Sequence, residues 1–176
     1  VADSPELDIT GTQLTLEAWV KPEPRGGFCP ILGKGDTQYM LRTREGSLEF
    51  FIYDGQWHTL SAALPADWYG KWHHVAGVYD GKELRLYRDG TLQATLPCTV
   101  PITSSDYPVN VGRNSQVTDR FFAGAIDQVR IYNRALPAEQ LGQVNATPPA
   151  SAVLWLDFDE SSPDPSFERK WFWAYG

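Results

Sequence analysis

Positive charge is scarce in this sequence. Fifteen Lys and Arg stand against twenty-two Asp and Glu, a formal net charge of −7, and no basic cluster offsets the excess. Such a chain repels phosphate backbones and anionic membrane surfaces, so nucleic acid and membranes are not expected partners. Long apolar runs are missing too: nowhere do about eighteen apolar residues follow one another, the length of a membrane-spanning helix. Val1-Ala2-Asp3-Ser4 has neither the basic nor the apolar region of a signal peptide, and we expect the chain to be cut from a longer protein. No segment sustains a 3.6-residue apolar period, which argues against any helix longer than about two turns. The Gly-x-Ser-x-Gly elbow that presents a nucleophilic serine does not occur.

Turns and aromatics are what the chain has in quantity. The stretch Gly70 to Asp89, GKWHHVAGVYDGKELRLYRD, holds two β-rich runs around Asp80-Gly81, a dipeptide suited to a tight hairpin turn. Asp89-Gly90 follows at once and returns the chain into TLQATL, making a three-stranded meander. Short runs punctuated by Asp-Gly about every ten residues predict an all-β, antiparallel two-sheet sandwich of jelly-roll type. A length of 176 residues with 42% hydrophobic residues is enough for one full core. Seven Trp, eight Tyr and eight Phe exceed what a core alone requires, so some are expected to face a ligand.

In chain order, LTLEAWVKP alternates Leu14, Leu16, Ala18 and Val20 against Thr15, Glu17 and Trp19, a strand with two different faces. A Pro- and Gly-rich loop containing Cys29 follows, then PILGK and QYMLRTR as a hairpin, and SLEFFIYDG as a further strand. QWHTLSA reads as a polar aromatic patch, and PADWYG as the approach to the central hairpin. Past the meander, Pro97, Pro101 and Pro108 mark a loop, with VNVG a short strand and RNSQVTD a polar loop. In FFAGAIDQVRIYNRAL, Val129 and Ile131 alternate with Arg130 and Tyr132, a half-buried strand. Pro137 to Leu141 offers one helical turn. Pro148-Pro149 lies in a linker, which divides the chain into residues 1–144 and a segment 145–176 with a last strand, AVLWLDFD, and an aromatic tail.

Three kinds of side chain invite functional readings. Cys29 and Cys98 lie in Pro-rich segments; they either close a disulfide, worth up to about 4 kcal/mol in the chain-entropy picture, or remain thiols, and in an exported protein the two loops should meet. His73 and His74 are adjacent on a strand and point to opposite faces, so they cannot share one ion and are expected to be structural. Sugar rings present apolar C–H faces that stack on Trp and Tyr while Asp, Asn and Arg take hydroxyls. Tyr53-Asp54-Gly55-Gln56-Trp57 has that composition at a strand end; Trp68-Tyr69 is a second candidate and Tyr107 a third. Trp72, flanked by Val75, Val78 and Leu84, is most simply core.

The succession LTLEAWVKP, ILGKG, SLEFFIYDG, WHHVAGVYDG with LRLYRDG, VGRN and FAGAIDQVRIYNRAL resembles the laminin-G-like, concanavalin A-like jelly roll of many bacterial extracellular proteins, over about Ser4 to Leu141. The resemblance implies a non-catalytic module, often appended to glycoside hydrolases and in some members carbohydrate binding, within a secreted or periplasmic protein. It also implies a calcium candidate, Asp127, in the Phe-x-Gly-x-Ile-Asp run, the alternative and favoured role being a carboxylate that hydrogen-bonds a neighbouring loop. The family's usual opening strand ending in Phe-Asp-Gly is missing, which removes one expected ligand. It leaves a sheet edge either open or filled by AVLWLDFD. Endoglucanases of this fold carry Glu-x-Asp-x-x-Glu, two carboxylates about 5 Å apart; here Trp155 stands at the nucleophile's position, so Asp157 and Glu160 lack their partner and catalysis is not expected. VLWLDFD with KWFWAYG resembles a segment of bacterial β-galactosidases, which makes such an enzyme the expected parent. The expectation is therefore a carbohydrate-binding accessory module whose partners are a glycan or the parent catalytic domain. The alternative is a spacer that packs on that domain and binds nothing.

Overall fold

The computed structural model describes residues 1–143 and 152–158. They form two antiparallel sheets packed face to face. The strands are β1 (Leu14–Pro22), β2 (Phe28–Gly33), β3 (Tyr39–Arg44), β4 (Ser47–Tyr53), β5 (Trp57–Ala63), β6 (His73–Tyr79), β7 (Glu83–Arg88), β8 (Thr91–Pro97), β9 (Asn110–Val111), β10 (Gly124–Tyr132) and β11 (Ala152–Leu156). One sheet runs β11-β10-β1-β6-β7-β8 and the other β5-β4-β3-β2-β9. The only helical element among the described residues is a 3-10 turn, Ala138–Gln140, at the expected place. Among the described residues no helix is long and apolar enough to cross a membrane.

The turns follow from their residues. Glu45-Gly46 and Asp89-Gly90 both have positive φ at each position (45° and 79°, 51° and 73°), the conformation whose twist matches that of the flanking strands. At Asp80-Gly81 the Asp80 carboxylate accepts the Lys82 and Glu83 N–H groups at 2.9 and 3.0 Å, closing the central hairpin from its side chain.

Between the sheets lie the apolar residues of the alternating strands: Leu14, Leu16, Ala18 and Val20 from β1, Leu48, Phe50 and Ile52 from β4, and Val75, Leu84, Leu86, Val129 and Ile131. The sheets approach so closely at β6 that a Cβ on Gly77 would run into the Phe50 ring. Strand β11 pairs antiparallel with β10, from Val129↔Leu156 to Tyr132↔Ala152, so AVLWL fills the sheet edge. Trp155 there lies under the Arg130 guanidinium, 4.6 Å from its ring centre. Glu160 and the KWFWAYG tail lie outside the described residues.

Several expectations need correction. The two faces of β1 differ as expected, but both are largely buried, and the half-buried reading of β10 fails, because the segment after β10 folds back over the outside of the six-stranded sheet. Leu136 and Leu141 cover Ala76, Val78, Tyr87 and Tyr132, and Glu17, Arg130 and Tyr132 become buried with them. QWHTLSA is not a patch beside the fold but edge strand β5, paired with β4 from Tyr53↔Trp57 to Ser47↔Ala63. Cys29 sits within β2, opposite Thr43, not in a loop. The disulfide is not formed: both thiols are free and buried. Cys29 Sγ lies against the Arg25 and Gly26 carbonyls, while Cys98 lies beside the Tyr79 hydroxyl. Trp72 is 46% exposed, because β6 begins one residue later and no sheet face encloses it.

Candidate glycan-binding surface

At one end of the five-stranded sheet the hairpin connection between β2 and β3, the turn between β4 and β5, and the loops 102–107 and 113–120 come together. Tyr53 N–H donates to the Gln38 carbonyl at 2.9 Å, and Thr103 N–H donates to the Tyr53 carbonyl at 2.8 Å. Ser105 Oγ donates to Gln38 Oε1 at 2.9 Å. Beneath them Lys34, fully buried, donates through Nζ to Asp8 and the Ser105 carbonyl and pairs with Asp3 at 2.7 Å. These contacts fix a small platform at the sheet end.

Trp57 stands on it. Its indole is 60% exposed, yet Nε1–H donates to the Asp36 carbonyl at 2.7 Å, so the ring is open to solvent and held. The Tyr53 ring lies 5.2 Å away, tilted by 54°. The pairing Tyr53↔Trp57 across the tight turn brings the two rings to the same face. Beyond Asp36, Gly35 touches Tyr107: a Cβ there would lie 3.2 Å from the Tyr107 ring. Tyr107, 37% exposed, therefore flanks the 35–36 turn together with Trp57.

The charges here are matched within the protein. Asp36 Oδ1 accepts Asn114 Nδ2–H at 2.7 Å and Oδ2 accepts Arg120 Nη1–H at 2.6 Å. Arg42 Nε–H donates to Glu49 at 2.7 Å. The guanidinium groups of Arg42, Arg44 and Arg120 lie over the Phe28 ring at 4.7, 4.6 and 4.1 Å. Asp54 meets His58 Nε2 at 2.9 Å and accepts the Gln56 N–H at 3.0 Å. The His58 hydrogen bond, then the backbone N–H, hold the Asp54 carboxyl below the usual carboxylate range. Carboxylates engaged in this way brace loops; they are not a pair poised for acid–base exchange.

Of the residues singled out from the sequence, the structure brings Tyr53, Asp54, Trp57 and Tyr107 to one end. It separates the other pair. Trp68 is only 1% exposed, stacked on His73 with centroids 4.8 Å apart, because the turn after Pro65 folds its ring into the core. It cannot meet a sugar. Tyr69, 44% exposed, follows β5 at the far end of that strand, beside the Gly70 N–H that donates to Pro22. His73 and His74 do point to opposite sides: His73 pairs with Asp89 at 2.8 Å, His74 with Glu17 at 3.0 Å. Asp127 Oδ1 accepts the Gln128 and Phe158 N–H groups at 2.6 and 3.1 Å, fastening the chain after β11 to β10. Among the described residues no three His, Cys, Asp or Glu side chains gather around an ion position.

Sequence reading missed Asp36, Asn114, Gln116 and Arg120, which meet across more than seventy residues of chain. One local signal existed. Asn114-Ser115-Gln116 is an Asx turn, with Asn114 Oδ1 accepting the Gln116 and Val117 N–H groups at 2.7 and 3.1 Å.

The laminin-G-type family model described as "Concanavalin A-like lectin/glucanases superfamily" matches residues 1–142. The chain belongs to the concanavalin A-like lectin/glucanases superfamily. Among solved structures, it is similar to a Bacteroides ovatus protein provisionally described as carbohydrate binding, at 21% identity and TM-score 0.70, over 86% of this chain and 47% of that one. It is also similar to domain 4 of a GH43 extracellular arabinanase from Geobacillus stearothermophilus in complex with arabinotriose, at 22% identity and TM-score 0.59, over 74% of this chain and 65% of the other. A third similar structure is the CBM40 of a Ruminococcus gnavus IT-sialidase bound to α2,3-sialyllactose, at 21% identity and TM-score 0.61, over 76% and 82%. The chain thus spans about half of the first and less than two thirds of the second. At these identities the likeness establishes the superfamily's sandwich and nothing finer. No curated protein gives a significant match.

Proposed function

We propose that the chain is a non-catalytic carbohydrate-binding module that takes a sugar on the face of Trp57, with Tyr53 and Tyr107 beside it. The observation that carries this reading is the state of the Trp57 indole: most of the ring is exposed while its one polar atom is already satisfied by Asp36. A large aromatic face costs free energy in water, and one whose N–H is engaged offers a partner only its apolar face. Stacked sugar C–H groups fit that face. Similar modules with arabinotriose or sialyllactose bound support the class of ligand.

The parent, on this reading, is a glycoside hydrolase of β-galactosidase type, secreted or periplasmic. Its support is the resemblance of VLWLDFD and KWFWAYG to such enzymes. The test of the module's function is a titration of the chain with arabinotriose, α2,3-sialyllactose and β-1,4-galactotriose, alongside a broad glycan array. Saturable binding of at least one glycan is expected. No binding across the array would favour the spacer.

A further inference from the structure

We propose that Asp36, Asn114 and Arg120 are positioning residues that hold the Trp57 indole in one orientation for its ligand, an inference that rests on the glycan-binding reading of this face. The indole is anchored by a single bond, Nε1–H to the Asp36 carbonyl at 2.7 Å. That carbonyl belongs to the short connection between β2 and β3, and both hydrogen bonds to the Asp36 carboxylate come from the 113–120 loop, with Arg42 Nη1 a further 3.9 Å from Oδ1. Asn114 donates to Oδ1 at 2.7 Å, Arg120 to Oδ2 at 2.6 Å, and Gln116 Oε1 accepts the Asp36 N–H.

The loop is itself braced. Asn114 N–H donates to the Arg120 carbonyl at 3.1 Å, Arg113 bridges Phe121, and the Arg120 guanidinium sits 4.1 Å over Phe28. In the sheet order β5-β4-β3-β2-β9, Trp57 starts one edge strand and the loop follows the other. The anchor of an aromatic on one edge is thus supplied from a loop that follows the opposite edge strand, by way of the β2–β3 connection at the end of the sheet. A ring held before the ligand arrives loses less freedom on binding, so these residues raise affinity without touching the sugar.

The experiment follows the Trp57 indole N–H by 1H–15N NMR in the ligand-free chain, the resonance being identified by its loss in Trp57→Ala. Asp36→Ala keeps the carbonyl acceptor but removes the carboxylate; Arg120→Ala removes one tether; Arg120→Lys restores a cation. We expect hydrogen exchange of that one indole proton to accelerate by about tenfold in Asp36→Ala and Arg120→Ala, the mark of a local opening. Affinity for whichever of the three oligosaccharides binds should fall about five- to tenfold, with Arg120→Lys within about twofold of the parent chain. Should Asp36→Ala fail to fold, Arg120→Ala carries the same reading, since its side chain is partly solvent-exposed. Unchanged indole exchange in the folded variants overturns the proposal, and so does faster exchange with unchanged affinity. A parent chain that binds none of the three oligosaccharides or the array contradicts the glycan reading, and the clamp is then decided by the exchange rate alone.

Discussion

Glu17 shows how far a single residue departs from its appearance in the sequence. In LTLEAWVKP it alternates with leucines as if facing water. In the fold it is buried and accepts four donors: His74 Nε2 at 3.0 Å, the Gly142 N–H at 2.8 Å, Arg130 at 3.2 Å and the Tyr132 hydroxyl at 3.3 Å. Burial pushes its carboxyl up; the hydrogen bonds from His74 and Gly142, with the charges of His74 and Arg130, outweigh burial and hold it below the usual carboxylate range. A depressed folded value means stability that is fully present above the ordinary carboxylate pKa of about 4.3 and is lost as pH falls through the lower folded value. Glu17→Gln should cost about 3 kcal/mol at neutral pH by leaving Arg130 without its counter-charge. Melts from pH 7 down to pH 3 should show the gap to the parent chain closing in acid; a gap independent of pH would contradict this. The tryptophans give a second test. Trp68→Ala should cost roughly 3 to 5 kcal/mol as a core cavity, and Trp72→Ala under about 1 kcal/mol. Denaturant melts that reverse this order would refute the assignment of Trp68 to the core. Sequence pattern misplaced both rings, since neighbouring valines say nothing about where a strand begins.

Among elements, those with strong alternation or a signature turn were legible: β1 lies where its alternating leucines put it, the β2-β3 hairpin where PILGK and QYMLRTR do, and the β6-β7-β8 meander where the Asp-Gly pairs do. Strand β5 was not, because an edge strand with one solvent face carries Trp57, Thr59, Ser61 and Ala63 outward and has little apolar rhythm to read. The turn after β10 was legible, but its role as a strap was not: nothing in Leu136 and Leu141 shows that they cover the sheet until the sheet is known. Cys29 was misplaced for a related reason: nearby Pro and Gly suggested a loop, yet Pro30 opposes Arg42 within β2, at a register shift. Burial pushes the Cys29 thiol up, so it is shielded and weakly nucleophilic. Thiol titration should find two reactive groups after unfolding without reductant and almost none before; finding no thiol after unfolding would mean that the two cysteines pair.

For the whole molecule, the antiparallel two-sheet sandwich and the lack of a long helix among the described residues follow from the turn spacing and the family motifs, while the division into six and five strands came from the structure. The candidate site followed in part. Composition pointed to Tyr53, Asp54, Trp57 and Tyr107, which the fold gathers, and also to Trp68, which it buries, because composition cannot distinguish a strand end that opens to water from a turn that folds inward. The bracing set around Asp36 required the fold itself, as its members come from opposite edges of one sheet. The most direct measurement pairs Trp57→Ala with Trp72→Ala, two exposed tryptophans, one at the proposed site and one before β6 in the other sheet. Both variants should melt within about 1 kcal/mol of the parent chain. Titrated with the glycan that the parent chain binds, Trp57→Ala should lose about tenfold or more in affinity, as an aromatic anchor does, while Trp72→Ala should bind unchanged. Loss of binding in Trp72→Ala with Trp57→Ala unaffected, or no change in either, would contradict the assignment of the site.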